Sequence, residues 1–170
     1  MADPQLLITG RYFGGEGLRG AMPVMQQLVH EARDEIHVLA YVMTRQALPL
    51  LDAIEAALAR GVKVTIVINE IPGQPLELEA QLSRLSGEYT HATIRYFSPS
   101  DGSQLHAKIL VADRKQAVVG SANYTWGGLV SNHEIGVLLS GRPAWDLGRL
   151  ADKLALQARE SPHGLNANPP

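Results

Sequence analysis

His106 and Lys108, followed at Ser121 and Asn123 by two neutral hydrogen-bonding side chains, are the residues whose types and spacing could do chemistry. Imidazole is a nucleophile near neutral pH and can also act as a general acid. A lysine ammonium stabilises charge on the non-bridging oxygens of a phosphodiester, and Ser121 and Asn123 supply neutral donors to the same oxygens. Attack on a phosphodiester by such a set requires no metal, and no cofactor is expected. Between these residues lie two short apolar runs, 109–112 and 117–119, separated by Asp113-Arg114-Lys115-Gln116. Apolar runs of strand length around a charged turn predict a tight β-hairpin. With Arg114 and Lys115 as a two-residue loop, Asp113 lies opposite Gln116, Lys108 opposite Ser121 and His106 opposite Asn123. Side chains alternate along a strand, so the four polar groups share one face at the open end of the hairpin.

Residues 106–123 fit the pattern H-x-K-x4-D-x6-G-S-x-N at all six defined positions. Six such coincidences at a given start arise by chance on the order of 10⁻⁸ of the time at average composition. The stretch resembles the phospholipase D superfamily of phosphodiesterases. The phrase Ala-Arg-Gly-Val-Lys-Val-Thr-Ile-Val, residues 59–67, is similar to that superfamily's helix-to-strand junction. The resemblance implies an α/β fold, a mixed and mostly parallel sheet flanked by helices on both faces. It also implies a two-step reaction: one histidine attacks phosphorus to give a phosphohistidine, and a second protonates the leaving oxygen and later activates water. Glu134 lies at the distance after the motif where members carry a glutamate hydrogen-bonded to the nucleophilic histidine, which would fix the imidazole tautomer. His133, one position away, then points to the other face. Asp113 is a signature residue of the pattern, yet by position it falls in the turn, where it would shape the turn or hold Arg114 or Lys115.

One motif supplies one histidine, and the implied mechanism needs two. The second is expected from a second copy, a homodimer with His106 against its symmetry mate at a shared site. Short single-motif members of the superfamily are typically nucleases. The favoured substrate is therefore DNA or RNA, with a lipid phosphodiesterase (cardiolipin or phosphatidyl hydrolase) and a non-cutting nucleic-acid-binding subunit as alternatives. Short members also occur in phage-defence operons, including the DISARM type, so defence-complex proteins are candidate partners. Trp126, beside Gly127 and Gly128, is a candidate for base contact as well as for packing.

The elements that must position this set follow from periodicity. Residues 6–9 read as a strand and 10–20 as a loop containing Gly14-Gly15-Glu16-Gly17. Pro23 fits the first turn of a helix whose apolar face is Val24, Leu28 and Val29. Residues 35–42 read as a buried strand, with His37 a satisfied core histidine. Thr44 is placed to cap a helix through Arg60, and Gly61 ends it. A β-branched strand over 62–68 completes a βαβ unit and hence a parallel pair. A helix over 76–85, a strand over 93–97 preceded by a solvated His91, a strand over 135–140 and a last helix over 143–159 follow. That last helix would turn Leu147, Leu150, Leu154 and Ala158 inward.

At 170 residues and 45% hydrophobic, the chain is long enough for one substantial core, expected over 1–160 with a flexible tail at 161–170 that leaves His163 without a role. The formal charge of −2 gives no global attraction to nucleic acid, so affinity must be local; Arg95, Lys108, Arg114 and Lys115 outnumber Asp101 and Asp113 around the motif. Without cysteine there is neither disulfide nor thiolate zinc site, which suits the cytoplasm. The first residues lack the pattern of a secretion signal, and no apolar run or basic amphipathic helix points to stable membrane association.

Overall fold

The computed structural model describes residues 3–14, 17–70 and 75–160. The predicted tail at 161–170, the loop at 71–74 and two residues of the glycine-rich run lie outside the described residues. Eight strands form a single sheet in the order β2-β1-β8-β7-β6-β3-β4-β5. In chain order these are β1 (Gln5–Thr9), β2 (Arg19–Gly20), β3 (Glu35–Ala40), β4 (Lys63–Asn69), β5 (Ala92–Phe97), β6 (Lys108–Ala112), β7 (Gln116–Gly120) and β8 (Glu134–Ser140). Helices α1 (Ala21–Glu31), α2 (Leu48–Ala59) and α3 (Leu76–Glu88) precede the motif, and α4 (Arg142–Gln157) follows β8.

The sheet is mixed, as expected. Its parallel pairs are β1–β2, β3–β4 and β4–β5, the last two being βαβ crossovers. The motif half, β3–β6–β7–β8–β1, is joined by antiparallel pairs because hairpin and meander connections link it. Parallel pairing thus dominates only the β3–β4–β5 half. Helices α1, α2 and α3 bury their apolar stripes on one face, where Val24, Leu28, Leu51, Ile54, Leu82 and Leu85 join Ile36, Val38, Ile66 and Leu110. The opposite face carries α4 alone, packed on Leu39, Val67, Val111 and Ala117.

Several local expectations are corrected. The loop after β1 contains a 3-10 turn (Arg11–Phe13) and the short strand β2, which pairs with β1. Thr44 does not cap α2: its hydroxyl donates to Gln46, a 3-10 turn (Arg45–Ala47) intervenes, and the helix starts with Pro49 in its first turn, where no amide is needed. Gly61 ends that helix in the left-handed region, φ 89°. His91 is not solvated; its Nε2 meets the Leu58 carbonyl at 3.0 Å, at the C-terminal end of α2. On helix α4, Leu147, Leu154 and Ala158 pack half-buried against the inner clusters as expected, but Leu150 turns outward. The buried face of α4 is Ala144, Gly148 and Ala151, and Leu150 is left 50% exposed. Small residues let α4 lie close to the sheet: a Cβ at Gly148 would come within 2.9 Å of the Arg114 side chain.

Much of face two remains uncovered. On the β1–β8–β7–β6 side, Leu6 (54% exposed) and Ile135 (53%) project beyond α4, next to the half-buried Ile8, Val137, Val119 and Ile109. Alternation assigns them all to the face opposite the main core.

Candidate active site

The motif hairpin forms, one residue out of the predicted register. Ala112 pairs with Gln116, and 113–115 make the turn. Asp113 and Arg114 both adopt left-handed backbone (φ 52° and 51°), and the Lys115 amide donates to the Ala112 carbonyl at 2.9 Å. The physical reason is Asp113. Its carboxylate accepts from the backbone amides of Arg33, Asp34 (2.8 Å) and Glu35 (3.0 Å), which draws it out of the ladder and onto the start of β3. Partial burial opposes its ionisation, but the three amides and Lys115 outweigh that and hold its pKa below the usual carboxylate value. Asp113 therefore neither holds Arg114 nor reaches the site; it staples the hairpin to β3. Arg114 instead pairs with Glu35 and with Asp152 of α4 (2.6 Å).

Asp113→Ala is expected to lower stability by about 2–3 kcal/mol, since it strips three amides of an ionised acceptor and puts alanine in a left-handed position. The pKa of Asp113 is lowered on folding, so this contribution is full above the unfolded carboxyl value and is lost as pH falls through the folded one. Thermal melts of wild type and variant should thus differ most at neutral pH and draw together in acid, down to the pH-independent cost of the left-handed alanine, with the fold otherwise unchanged by circular dichroism.

The register shift changes which groups meet. Lys108, 8% exposed, now shares its face with Gly120, Gly136 and Glu134, around a recess also lined by Thr9, Ala21, Met25 and Tyr124. Gly120 faces Gly136 across the strand pair, and a Cβ there would come within 3.0 Å of the Gly136 Cα. The lysine Nζ donates to His106 Nδ1 at 2.8 Å and to the His106 carbonyl at 2.9 Å, and it lies 5.2 Å from the Tyr41 ring centre. Burial lowers the Lys108 pKa; the Glu134 charge works in the opposite direction without restoring it.

His106 is exposed, with its ring 4.3 Å from that of Tyr41 at the end of β3. It is placed from behind: the buried Asn69, last residue of β4, accepts the Leu105 amide at 2.8 Å. Glu134 does not reach His106 within the chain. It accepts from the Ser121 hydroxyl and from Asn132 Nδ2 (3.2 Å), and Ser121 in turn takes the Ile135 amide at 3.3 Å. The His106 Nδ1 position implied for Glu134 is held by Lys108.

Asn123 sits beside this group because Tyr124 bonds across to the chain after β3: its amide donates to Val42 and its carbonyl accepts from Thr44. Tyr124 is buried, and its hydroxyl donates to Ile109 O at 3.0 Å. The Asn123 Oδ1 is buried without a partner. Gly128, in a π-helical turn (Gly127–Ser131), lies so close to Asn123 that a Cβ would stand 2.2 Å from its carbonyl oxygen. Gly128→Ala must therefore displace the Asn123 backbone. Trp126, at the head of that turn, is exposed, as its two glycine neighbours allow.

The structure thus gathers Lys108 with His106 and with Glu134, and Glu134 with Ser121, at one end of the sheet, sets Asn123 in the adjoining loop and leaves Asp113 at the other end. Tyr41, Asn69 and Gly128 join the group without having been expected. Tyr41 follows an apolar strand and Asn69 ends one, positions where polar or aromatic residues read as ordinary strand ends; only the Gly127-Gly128 pair carried a local signal. Of the other described histidines, His30 is exposed on α1, His37 is buried against Asp152 (2.9 Å), His91 is on Leu58 and His133 is against Tyr12 and Phe13. Among the described residues no group of three or more His, Asp or Glu could hold a metal ion, and no helix is long and apolar enough to cross a membrane.

Comparison with known proteins bears on the family and the fold. A family model described as "Cardiolipin synthase, PLD-like domain" matches residues 25–155. The DISARM protein DrmC of Bacillus paralicheniformis is 30% identical over 128 residues, covering 73% of this chain and 51% of DrmC. Phospholipase D Y of Dictyostelium discoideum is 33% identical over 94 residues, 55% of this chain and 21% of that protein. The chain spans about half the length of the first of these relatives and a smaller share of the second. Among solved structures, Nuc from Salmonella typhimurium, a phospholipase D family member, superposes with a TM-score of 0.73 at 24% identity, covering 94% of this chain and 99% of Nuc. NucT from Helicobacter pylori gives the same TM-score and coverage at 17% identity. The chain belongs to the PLD-like domain family of the phospholipase D superfamily.

Proposed function

We propose that this chain is a phosphodiesterase of the nuclease type, cleaving DNA or RNA without a metal through a phosphohistidine, at a site completed by a second copy of the chain. The observation that carries the reading is the His106–Lys108 pair. An exposed imidazole lies against a partly desolvated ammonium, at the open end of the sheet, with no second imidazole of the described chain beside it. A phosphoryl group entering there competes for Lys108, which releases the imidazole lone pair. A nitrogen of His106 then bonds to phosphorus as the P–O bond to the leaving group breaks. The leaving oxygen takes its proton from the partner copy's imidazole, and that imidazole next draws a proton from the water that hydrolyses the N–P bond. Lys108 and the Asn123 amide offset charge on the non-bridging oxygens, and Ser121 and Glu134 set the edge of the pocket. The apolar sheet face beyond α4 supports the pairing of two copies, and Trp126 stands ready for contact with substrate. A folded unit over 1–160 with a tail beyond it, acting in the reducing cytoplasm that a cysteine-free chain suits, completes this reading.

The test is cleavage of plasmid and single-stranded DNA by the wild-type chain in EDTA, with light scattering on the same sample. Cutting by a dimer is expected; dependence on added magnesium, or full activity as a monomer, would overturn it. The family model's cardiolipin synthase description favours one second reading, a lipid phosphodiesterase, selected by hydrolysis of cardiolipin vesicles without DNA cleavage. The DrmC relative supports partners from a phage-defence assembly, in which a non-cutting subunit would bind DNA and leave it intact.

Lys108 provides a pH signature. Its pKa is lowered by burial and partly held up by Glu134, so removing that carboxylate lowers it further. In Glu134→Gln the alkaline limb of kcat/KM should lie at lower pH than in wild type; a limb unmoved or shifted upward would show that Lys108 is not the group titrating.

A further inference from the structure

Beyond the last β1–β8 pair, Thr9 opposite Glu134, the two strands run into loops that carry an aromatic and basic cluster. Gly10 takes a positive φ of 97° and lies so close to the other loop that a Cβ would stand 2.6 Å from Asn132 O and 3.0 Å from the His133 ring. This contact holds the turn that follows β1 against His133. The Tyr12 ring lies 4.9 Å from the imidazole of His133 at a tilt of 38°, and Phe13 meets the same imidazole edge-on at 5.5 Å. The Arg11 guanidinium carbon lies 5.7 Å from the Tyr12 ring centre, and no carboxylate among the described residues pairs with it. Phe13 is half-buried and accounts for the packing of the turn. Tyr12 is 78% exposed, so burial does not explain its place there. An outward aromatic face, an exposed imidazole and a guanidinium with no carboxylate partner among the described residues stand together on the loops that adjoin Glu134.

We propose that Tyr12, His133 and Arg11 form a subsite for an unpaired nucleobase and its phosphate, on the loops that adjoin Glu134. The proposal rests on the reading of the chain as a nuclease and adds to it a preference for single strands. Tyr12 gives the base a flat face, His133 backs that face and offers a ring N–H donor, and Arg11 meets the phosphate or stacks on the base. Any base can stack, so the subsite tolerates all sequences. A base within a duplex is already stacked and paired, so a duplex cannot use it.

The test measures binding of a short, fluorescently labelled oligodeoxythymidylate at fixed ionic strength, in a His106→Ala background that leaves the oligonucleotide uncut. Tyr12→Ala is expected to weaken binding about tenfold or more and to collapse the ratio of single-strand to duplex affinity. Tyr12→Phe, which keeps the ring, should restore both. A 2-aminopurine placed in the oligonucleotide should lose fluorescence on binding to the Tyr12 chain and not to Tyr12→Ala. Unchanged affinity in Tyr12→Ala, or absence of Tyr12-dependent quenching, overturns the subsite and leaves the nuclease reading standing. Failure of the parent chain to bind any oligonucleotide, with no cleavage by wild type, overturns the nuclease reading itself.

Discussion

His106→Ala is expected to lower cleavage of a DNA phosphodiester by on the order of 10⁴-fold or more, in a chain that should fold like the wild type. The size follows from the proposed double use of the imidazole. In a symmetric pair the substitution deletes the nucleophile and the general acid together, so neither half of the two-step route survives. The fold is expected to hold because His106 is exposed and precedes β6, and its side-chain partners among the described residues are Tyr41 and Lys108. Radiolabelled phosphate from a DNA substrate should remain on wild-type chain quenched during turnover in alkaline denaturant, where an N–P bond survives, and be absent from the variant. A variant that keeps a tenth of the rate, or still carries the label, would remove His106 from the reaction. Mixing variant with wild type adds a second reading, since each mixed pair holds one imidazole. Activity should then fall faster than the fraction of wild-type chain.

How much of this was legible beforehand depended on the range of the interactions involved. Strands such as 63–69 and the βαβ unit are written in local β-branched and apolar periodicity, and they form where that pattern places them. The register of the motif hairpin is not local. It is set by the Asp113 carboxylate bonding amides 78–80 residues away, and one residue of slip turns Ser121 away from Lys108 and toward Glu134. The same holds for α4. Its leucine spacing turns Leu147 and Leu154 to the sheet, where they stay half-buried, but the centre of the contact is Ala144, Gly148 and Ala151, because small residues permit closer approach. Asn69 and Tyr41 were illegible as site residues for a related reason. Each acts on a segment far along the chain, Leu105 and His106, that only the assembled sheet brings within reach.

The same uncovered face yields the second large effect. Leu150→Asp and Leu6→Asp are each expected to raise the dimer dissociation constant by on the order of 10²-fold or more, because pairing would bury an unpaired carboxylate at a cost of several kcal/mol. Both leucines are about half exposed in the single chain, at 50% and 54%, so the charge is tolerated before pairing and the chain should melt near the wild-type temperature. Leu150 borders a groove with Leu39, Ala107 and Ile109, directly behind the strand that presents His106 and Lys108. Leu6 lies on β1, three strands away, and touches none of the catalytic candidates. If each site needs two copies, both variants lose activity at low chain concentration, and specific activity climbs again as concentration rises. Local damage to a site would instead lower activity by the same factor at every concentration. Sedimentation and rate measured across one dilution series separate the two. A monomeric Leu6→Asp chain with wild-type specific activity would rule out the shared site while leaving His106 and Lys108 in place.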